Sequence, residues 1–145
     1  MKYISNSIEE TQKIADDFIK NISPKSADAV VVGLSGDLGA GKTAFTKCIA
    51  STLGVEDTVT SPTFVIEKIY ELQNQKFTHL IHIDAYRLES GGELLNLGWQ
   101  RIISDPNNLI LIEWPEMVSD VMPDHVKINL KALETAGIHE IEIVE

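Results

Sequence analysis

Three observations predict an α/β domain with helices on both faces of a mostly parallel sheet, extended by antiparallel hairpins. First, the apolar run Ala29-Val30-Val31-Val32-Gly33-Leu34 leads into Gly36-Asp37-Leu38-Gly39-Ala40-Gly41-Lys42-Thr43. That octet satisfies every defined position of G-x-x-x-x-G-K-[ST], in the strand–loop–helix order the pattern requires. Second, Leu109-Ile110-Leu111-Ile112-Glu113 is apolar on both alternations, as expected of a strand covered on both faces. Third, two pairs of strand-like runs lie too close in sequence for a parallel crossover, so each pairs antiparallel. Together they give a three-layer phosphate-loop nucleotide-binding fold, and a length of 145 residues suits one domain over 1–145.

Taken in order, Ser7 and Glu10 form a capping box that opens a helix. Ile8, Thr11, Ala15, Phe18, Ile19 and Ile22 mark one face of it, and Ser23-Pro24 closes it. After the glycine loop, Phe45, Cys48, Ile49 and Thr52 recur at helical spacing up to Gly54, a C-terminal stop. A polar linker follows with Thr58, Thr60, Ser61, Pro62 and Thr63. Its place suits a segment that senses the γ-phosphate, and it equally suits an ordinary turn seeded by Ser61-Pro62. Phe64 to Leu72 and Phe77 to Asp84 are strand-like around the turn Gln73–Lys76. Gly91-Gly92 breaks the chain before two short helices, Glu93 to Leu97 and Trp99 to Ser104, the second ended by Asp105-Pro106. Val126 to Leu133 and Ile138 to Val144 alternate around Ala136-Gly137 as a terminal hairpin.

The residue types in the loop explain its chemistry. Glycines let successive N–H groups of Asp37, Leu38, Gly39, Ala40, Gly41, Lys42 and Thr43 turn toward phosphate oxygens at a helix N-terminus. Lys42 can reach the β and γ phosphates, and the Thr43 hydroxyl can ligate Mg²⁺. Glu113 ends the most buried strand, where open α/β sheets bind ligands, and is the second candidate Mg²⁺ ligand; the plainer reading is a solvated strand-end carboxylate. Asp84 ends a more polar strand and suits orienting water or linking the metal to a moving loop, against an ion pair with Arg87 at (i, i+3). Trp114 reads more simply as packing than as chemistry. His79, His82, His125 and His139 lack metal-ligand spacing and read as structural, although His82 stands two residues from Asp84.

Composition limits the partners. Twelve Lys and Arg against 22 Asp and Glu give a net charge of −10, with no basic patch for gripping nucleic acid directly. Any link to nucleic acid is therefore expected through a partner protein. Cys48 is the sole cysteine, so no intrachain disulfide forms, and its place on an apolar helix face makes it buried and inert. No charged-then-apolar leader and no apolar run near 18 residues is present, so a cytoplasmic protein without membrane association is expected. Arg87 and Arg101 are too few for a small-molecule kinase, and a guanine-reading Asn-Lys-x-Asp is absent. Weak ATP hydrolysis fits best, with Lys42, Asp84 and Glu113 at its centre and an arginine from a partner able to speed it.

Four motifs in this order, the glycine loop, Ser61-Pro62-Thr63-Phe64, His82-Ile83-Asp84-Ala85-Tyr86-Arg87-Leu88 and Ile112-Glu113-Trp114-Pro115, resemble the bacterial TsaE (YjeE) family over essentially the whole chain. The resemblance implies a small ATPase needed to make threonylcarbamoyladenosine at adenosine 37 of tRNAs reading codons that begin with A. It implies work with the TsaB–TsaD complex, whose TsaD carries the transferase chemistry, and contact with tRNA only through those partners. By the same resemblance Lys42 contacts phosphate, Thr43 and Glu113 hold Mg²⁺, Asp84 and Trp114 are tied to activity, and Thr63 lies in a switch-like loop. Ala44 stands where many members carry a second threonine, outside the defined motif. An alternative from another class is a nucleotide-gated binding module, in which ATP occupancy matters and hydrolysis is incidental.

Overall fold

The computed structural model describes residues 1–56 and 67–145. The elements are β1 (Lys2–Ser5), α1 (Ile8–Asn21), β2 (Val30–Ser35), α2 (Lys42–Thr52), β3 (Glu67–Glu71), β4 (His79–Asp84), α3 (Gly91–Leu95), α4 (Trp99–Ile103), β5 (Asn108–Glu113), a 3₁₀ segment (Pro115–Val121), β6 (Val126–Ala132) and β7 (His139–Val144). Among the described residues the strands form one sheet in the order β1-β7-β6-β2-β5-β4-β3. The centre is parallel, β6 with β2, β2 with β5, and β5 with β4. The flanks are antiparallel, β3 on β4 and the ribbon β6-β7-β1.

The period of two along each strand divides the core into two layers. Val32, Leu34, Leu80, Leu109 and Leu111 pack with Ala15, Phe18, Phe45 and Ile49 of α1 and α2. Val31, Ile81, Ile83, Ile110 and Ile112 pack with Leu94, Trp99 and Val118 on the other face. Helix, sheet and helix layers follow, and the expected α/β architecture with antiparallel additions is found. All six residues of β5 are buried, which is why its sequence carries no polar alternation before Glu113.

The ends of α1 are held by side chains. Ser7 Oγ accepts from the Glu10 N–H at 3.1 Å, while the Glu10 carboxylate reaches past the cap to the Asn6 N–H at 2.6 Å. At the other end the Lys76 ammonium donates to the carbonyls of Lys20 (2.9 Å) and Ile22 (2.8 Å), tying the β3–β4 turn to α1. Across to α2, the Gln12 amide donates to the Cys48 carbonyl (3.0 Å) and the Thr52 hydroxyl (2.9 Å).

Several expectations change. Ile8 is not on the buried face of α1; it is 56 % exposed, at the first residue of the helix. β1 had no sequence signal, being a four-residue edge strand whose place comes from pairing with β7. β4 begins at His79 rather than Phe77, and the first short helix starts and ends two residues earlier than expected, at Gly91–Leu95. β4 is, as expected, more polar and less buried than β5 and pairs antiparallel with β3, although it lies inside the sheet between β3 and β5 with four of its six residues buried. Thr63, the linker around it and the first residues of the Phe64–Leu72 strand lie outside the described residues.

Candidate functional site

The ends of three adjacent parallel strands bring the predicted residues together. Leu34 of β2 pairs with Glu113 of β5, which pairs with Asp84 of β4. Two backbone bonds lock these ends level: Trp114 N–H to the Leu34 carbonyl at 3.1 Å, and Ala85 N–H to the Glu113 carbonyl at 3.0 Å. Gly36 to Gly41 then cross from β2 to the N-terminus of α2, which Lys42 opens. Gly36, Gly39 and Gly41 all take positive φ (153°, 81° and 101°), so the curl of the loop depends on their missing Cβ atoms.

Lys42 is only 6 % exposed. Its ammonium donates to the carbonyls of Gly36 and Asp37, the latter at 2.9 Å, and lies 4.2 Å from the centroid of the Trp114 ring. Burial lowers its pKa, and the carboxylates of Glu113, Glu116, Asp37 and Asp84 oppose that shift. Trp114 reaches this place from a left-handed backbone (φ 60°, ψ 50°), a conformation that costs a non-glycine residue about 1–2 kcal/mol. Tyr86 packs against the same ring, centroids 4.9 Å apart and planes inclined by 50°. Trp114 is thus both packing and part of the site.

Glu113 is not a solvated strand end. It is 3 % exposed, and its Oε2 lies 2.6 Å from Nε2 of the fully buried His82. Asp84 is half-buried and its Oδ1 accepts from the Tyr86 N–H at 3.0 Å, an Asx-type turn that directs the chain after β4. Ser35, just before the loop, donates to Glu116 Oε2 at 3.1 Å. Cys48 is buried as expected, and burial followed by the nearby Asp16 carboxylate raises its thiol pKa.

Sequence reasoning missed three contributors. His82 read as structural; its signal was the two-residue spacing that puts it on the same sheet face as Asp84. Glu116 gave no signal, because it enters through the turn of the 3₁₀ segment after Trp114. The third is an apolar cavity of about 220 Å³ beside the loop, lined by Ile8, Thr11, Ala40, Gly41, His139 and Ile141 among others. It is assembled from α1, the loop and β7, which sequence separates widely.

The oxygen donors available, the Thr43 hydroxyl and the carboxylates of Glu113 and Asp84, are of the hard type that suits Mg²⁺. Among the described residues no cluster of three or more His, Cys, Asp or Glu side chains could hold a metal ion alone. A cation here would therefore complete its shell with ligand oxygens and water, which is the usual mode for Mg²⁺ on a polyphosphate. No described helix is long and apolar enough to cross a membrane.

Comparison with known proteins gives the family of the chain. The family model "Threonylcarbamoyl adenosine biosynthesis protein TsaE" matches residues 5–140. The tRNA threonylcarbamoyladenosine biosynthesis protein TsaE of Rickettsia conorii is 40 % identical over 131 residues, covering 89 % of this chain and 70 % of its own. The protein of the same name from Bacillus subtilis is 36 % identical over 144 residues, covering 99 % and 83 %. Among solved structures, Bacillus subtilis YdiB superposes with a TM-score of 0.75 at 30 % identity, over 97 % of this chain and 82 % of that one. With the family model spanning nearly its whole length, the chain belongs to the TsaE family of tRNA threonylcarbamoyladenosine biosynthesis.

Proposed function

We propose that this chain is a Mg²⁺-dependent ATPase that binds the TsaB–TsaD complex and supports repeated rounds of threonylcarbamoyladenosine formation on tRNA. One observation carries the reading: a buried lysine at the N-terminus of α2 stands among the carboxylates of Asp37, Asp84, Glu113 and Glu116, beside a glycine loop. A lysine so placed and an anion-favouring helix end suit a polyphosphate, while the surrounding carboxylates suit the cation that accompanies it.

In this reading the loop N–H groups from Asp37 to Thr43 hold the phosphates, and Lys42 exchanges its carbonyl bonds for phosphate oxygens. Thr43 and Glu113 would hold Mg²⁺, which would supply positive charge to offset that of the phosphates. Asp84, at the rim of the site, orients the attacking water. The apolar cavity between α1 and β7 receives the base. Trp114 walls the Lys42 side and limits water there. The acidic surface leaves tRNA to the partner proteins, and the cytoplasm is the proposed site of action.

Steady-state ATP hydrolysis with and without purified TsaB–TsaD, with Lys42→Ala as the blank, tests the proposal. Hydrolysis stimulated by the complex and absent from the variant is expected. ATP binding without stimulated hydrolysis would overturn it in favour of a nucleotide-gated binding module. Asp84→Ala and Glu113→Ala should still bind ATP but fail to sustain multiple rounds of modification; multiple turnover in a hydrolysis-dead variant would also overturn it.

A further inference from the structure

His82 is an expensive way to fill its position. It is fully buried on the sheet face that packs against α1 and α2, where the neighbouring Leu80, Leu109 and Leu111 are apolar. Its Nδ1 has no hydrogen-bond partner among the described residues. An unpaired buried polar atom costs about 1–3 kcal/mol, which a leucine or phenylalanine at this place would not incur. What the imidazole gains in return is one bond, Nε2 to Glu113 Oε2 at 2.6 Å.

The register explains the reach. His82 pairs with Leu111, and Glu113 lies two residues further along β5, so both side chains project from the same face as diagonal neighbours. The orphaned Nδ1 places the proton on Nε2: there it is donated to the carboxylate, whereas on Nδ1 it would be a buried donor without an acceptor. One oxygen of Glu113 is thereby committed to the protein interior, and the rotation of the carboxylate is fixed. The other oxygen has no hydrogen-bond partner among the described residues.

We propose that His82 is a positioning residue that holds the Glu113 carboxylate in one orientation, so that its second oxygen meets a nucleotide-bound divalent cation. This rests on the assignment of Glu113 as a Mg²⁺ ligand above. The relation has the form common in metal sites, where an outer hydrogen bond orients a ligand and its loss lowers metal affinity about 10–100-fold. Nothing in it requires His82 to touch nucleotide, and nucleotide held without metal should not sense it.

The test measures Mn²⁺ affinity in the complex with a non-hydrolysable ATP analogue, from the free-ion electron paramagnetic resonance signal, alongside analogue affinity in EDTA. His82→Gln keeps an amide donor near the Nε2 position, His82→Asn is too short to reach Glu113, and His82→Leu removes the donor. Thermal unfolding in EDTA verifies folding, and the Asn–Gln comparison decides if the Leu protein does not fold. The Asn protein should lose about tenfold or more in Mn²⁺ affinity, the Gln protein less than about threefold, with analogue affinity in EDTA unchanged in both. Equal Mn²⁺ affinity in the wild type and the Asn protein overturns the role of His82 alone. Equal losses in the Asn and Gln proteins, or a parallel loss in EDTA, overturn it in favour of packing. A wild-type protein whose complex takes up no Mn²⁺ overturns the metal-site reading itself, and this inference with it.

Discussion

The Lys42 ammonium lies over the face of Trp114, 4.2 Å from the ring centroid, so the cation of the glycine loop and the residue after β5 share one contact. Phosphate binding at Lys42 would disturb that contact, which makes Trp114 a reporter. Trp99, the other tryptophan, is fully buried in the core layer against which Trp114 also packs, and should contribute a constant background. ATP should therefore change the intrinsic fluorescence of the wild type and leave Trp114→Phe unchanged. A response that survives in Trp114→Phe would place the nucleotide elsewhere.

Gly36 and Gly39 both take positive φ but should respond differently to alanine. A Cβ on Gly36 would overlap the Leu130 carbonyl oxygen and press on Ala40, whereas a Cβ on Gly39 would meet nothing within 4 Å. Gly39→Ala should lose about 1–2 kcal/mol from backbone strain alone. Gly36→Ala adds steric overlap with β6 and should lose about 2–4 kcal/mol. Urea denaturation of the two proteins measures the difference, and equal losses would refute the overlap.

Lys76 closes the C-terminal end of α1 from a distant turn. Lys76→Met keeps the aliphatic stem and removes the donor to the Lys20 and Ile22 carbonyls. A loss of about 1 kcal/mol is expected, seen as a lower urea midpoint with an unchanged slope. No change in midpoint would mean that water caps these carbonyls equally well.

Cys48 gives the protein a slope against pH. Its folded thiol has a raised pKa, so its contribution is complete below the ordinary thiol value of about 8.5 and is lost as pH rises toward the folded value. In that window the unfolded thiol ionises first and draws the equilibrium toward unfolding. Cys48→Ala should be less stable at pH 7 by about 1 kcal/mol, for its lost volume, and should lose less between pH 8 and pH 10 than the wild type. Parallel pH profiles would exclude the thiol as the cause.

The features legible in the sequence are those encoded within a few residues. The capping of α1 by Ser7, the left-handed stop at Gly54, the glycine loop and the double-sided burial of β5 each depend on local patterns, and each appears where expected. What escaped depends on register. That His82 meets Glu113, 31 positions away, follows only once β4 is placed beside β5, and nothing in either segment alone states that pairing. The same reason hid β1, whose partner β7 lies at the far end of the chain. It also hid the cavity between α1, the loop and β7. Trp114 was visible as a residue but not as a cation's neighbour, because its orientation follows from a left-handed turn that few tryptophans adopt.

The two carbonyl bonds of Lys42 make the loop its own competitor. A phosphate arriving there would displace the backbone oxygens of Gly36 and Asp37 rather than meet a bare cation. The free energy of capture is then a difference between two sets of hydrogen bonds, smaller than either set alone. The exchange would also run backward: as a phosphate departed, the carbonyls would recapture the ammonium and lower the barrier to release. A loop built in this way would give up tightness of grip for speed of exchange.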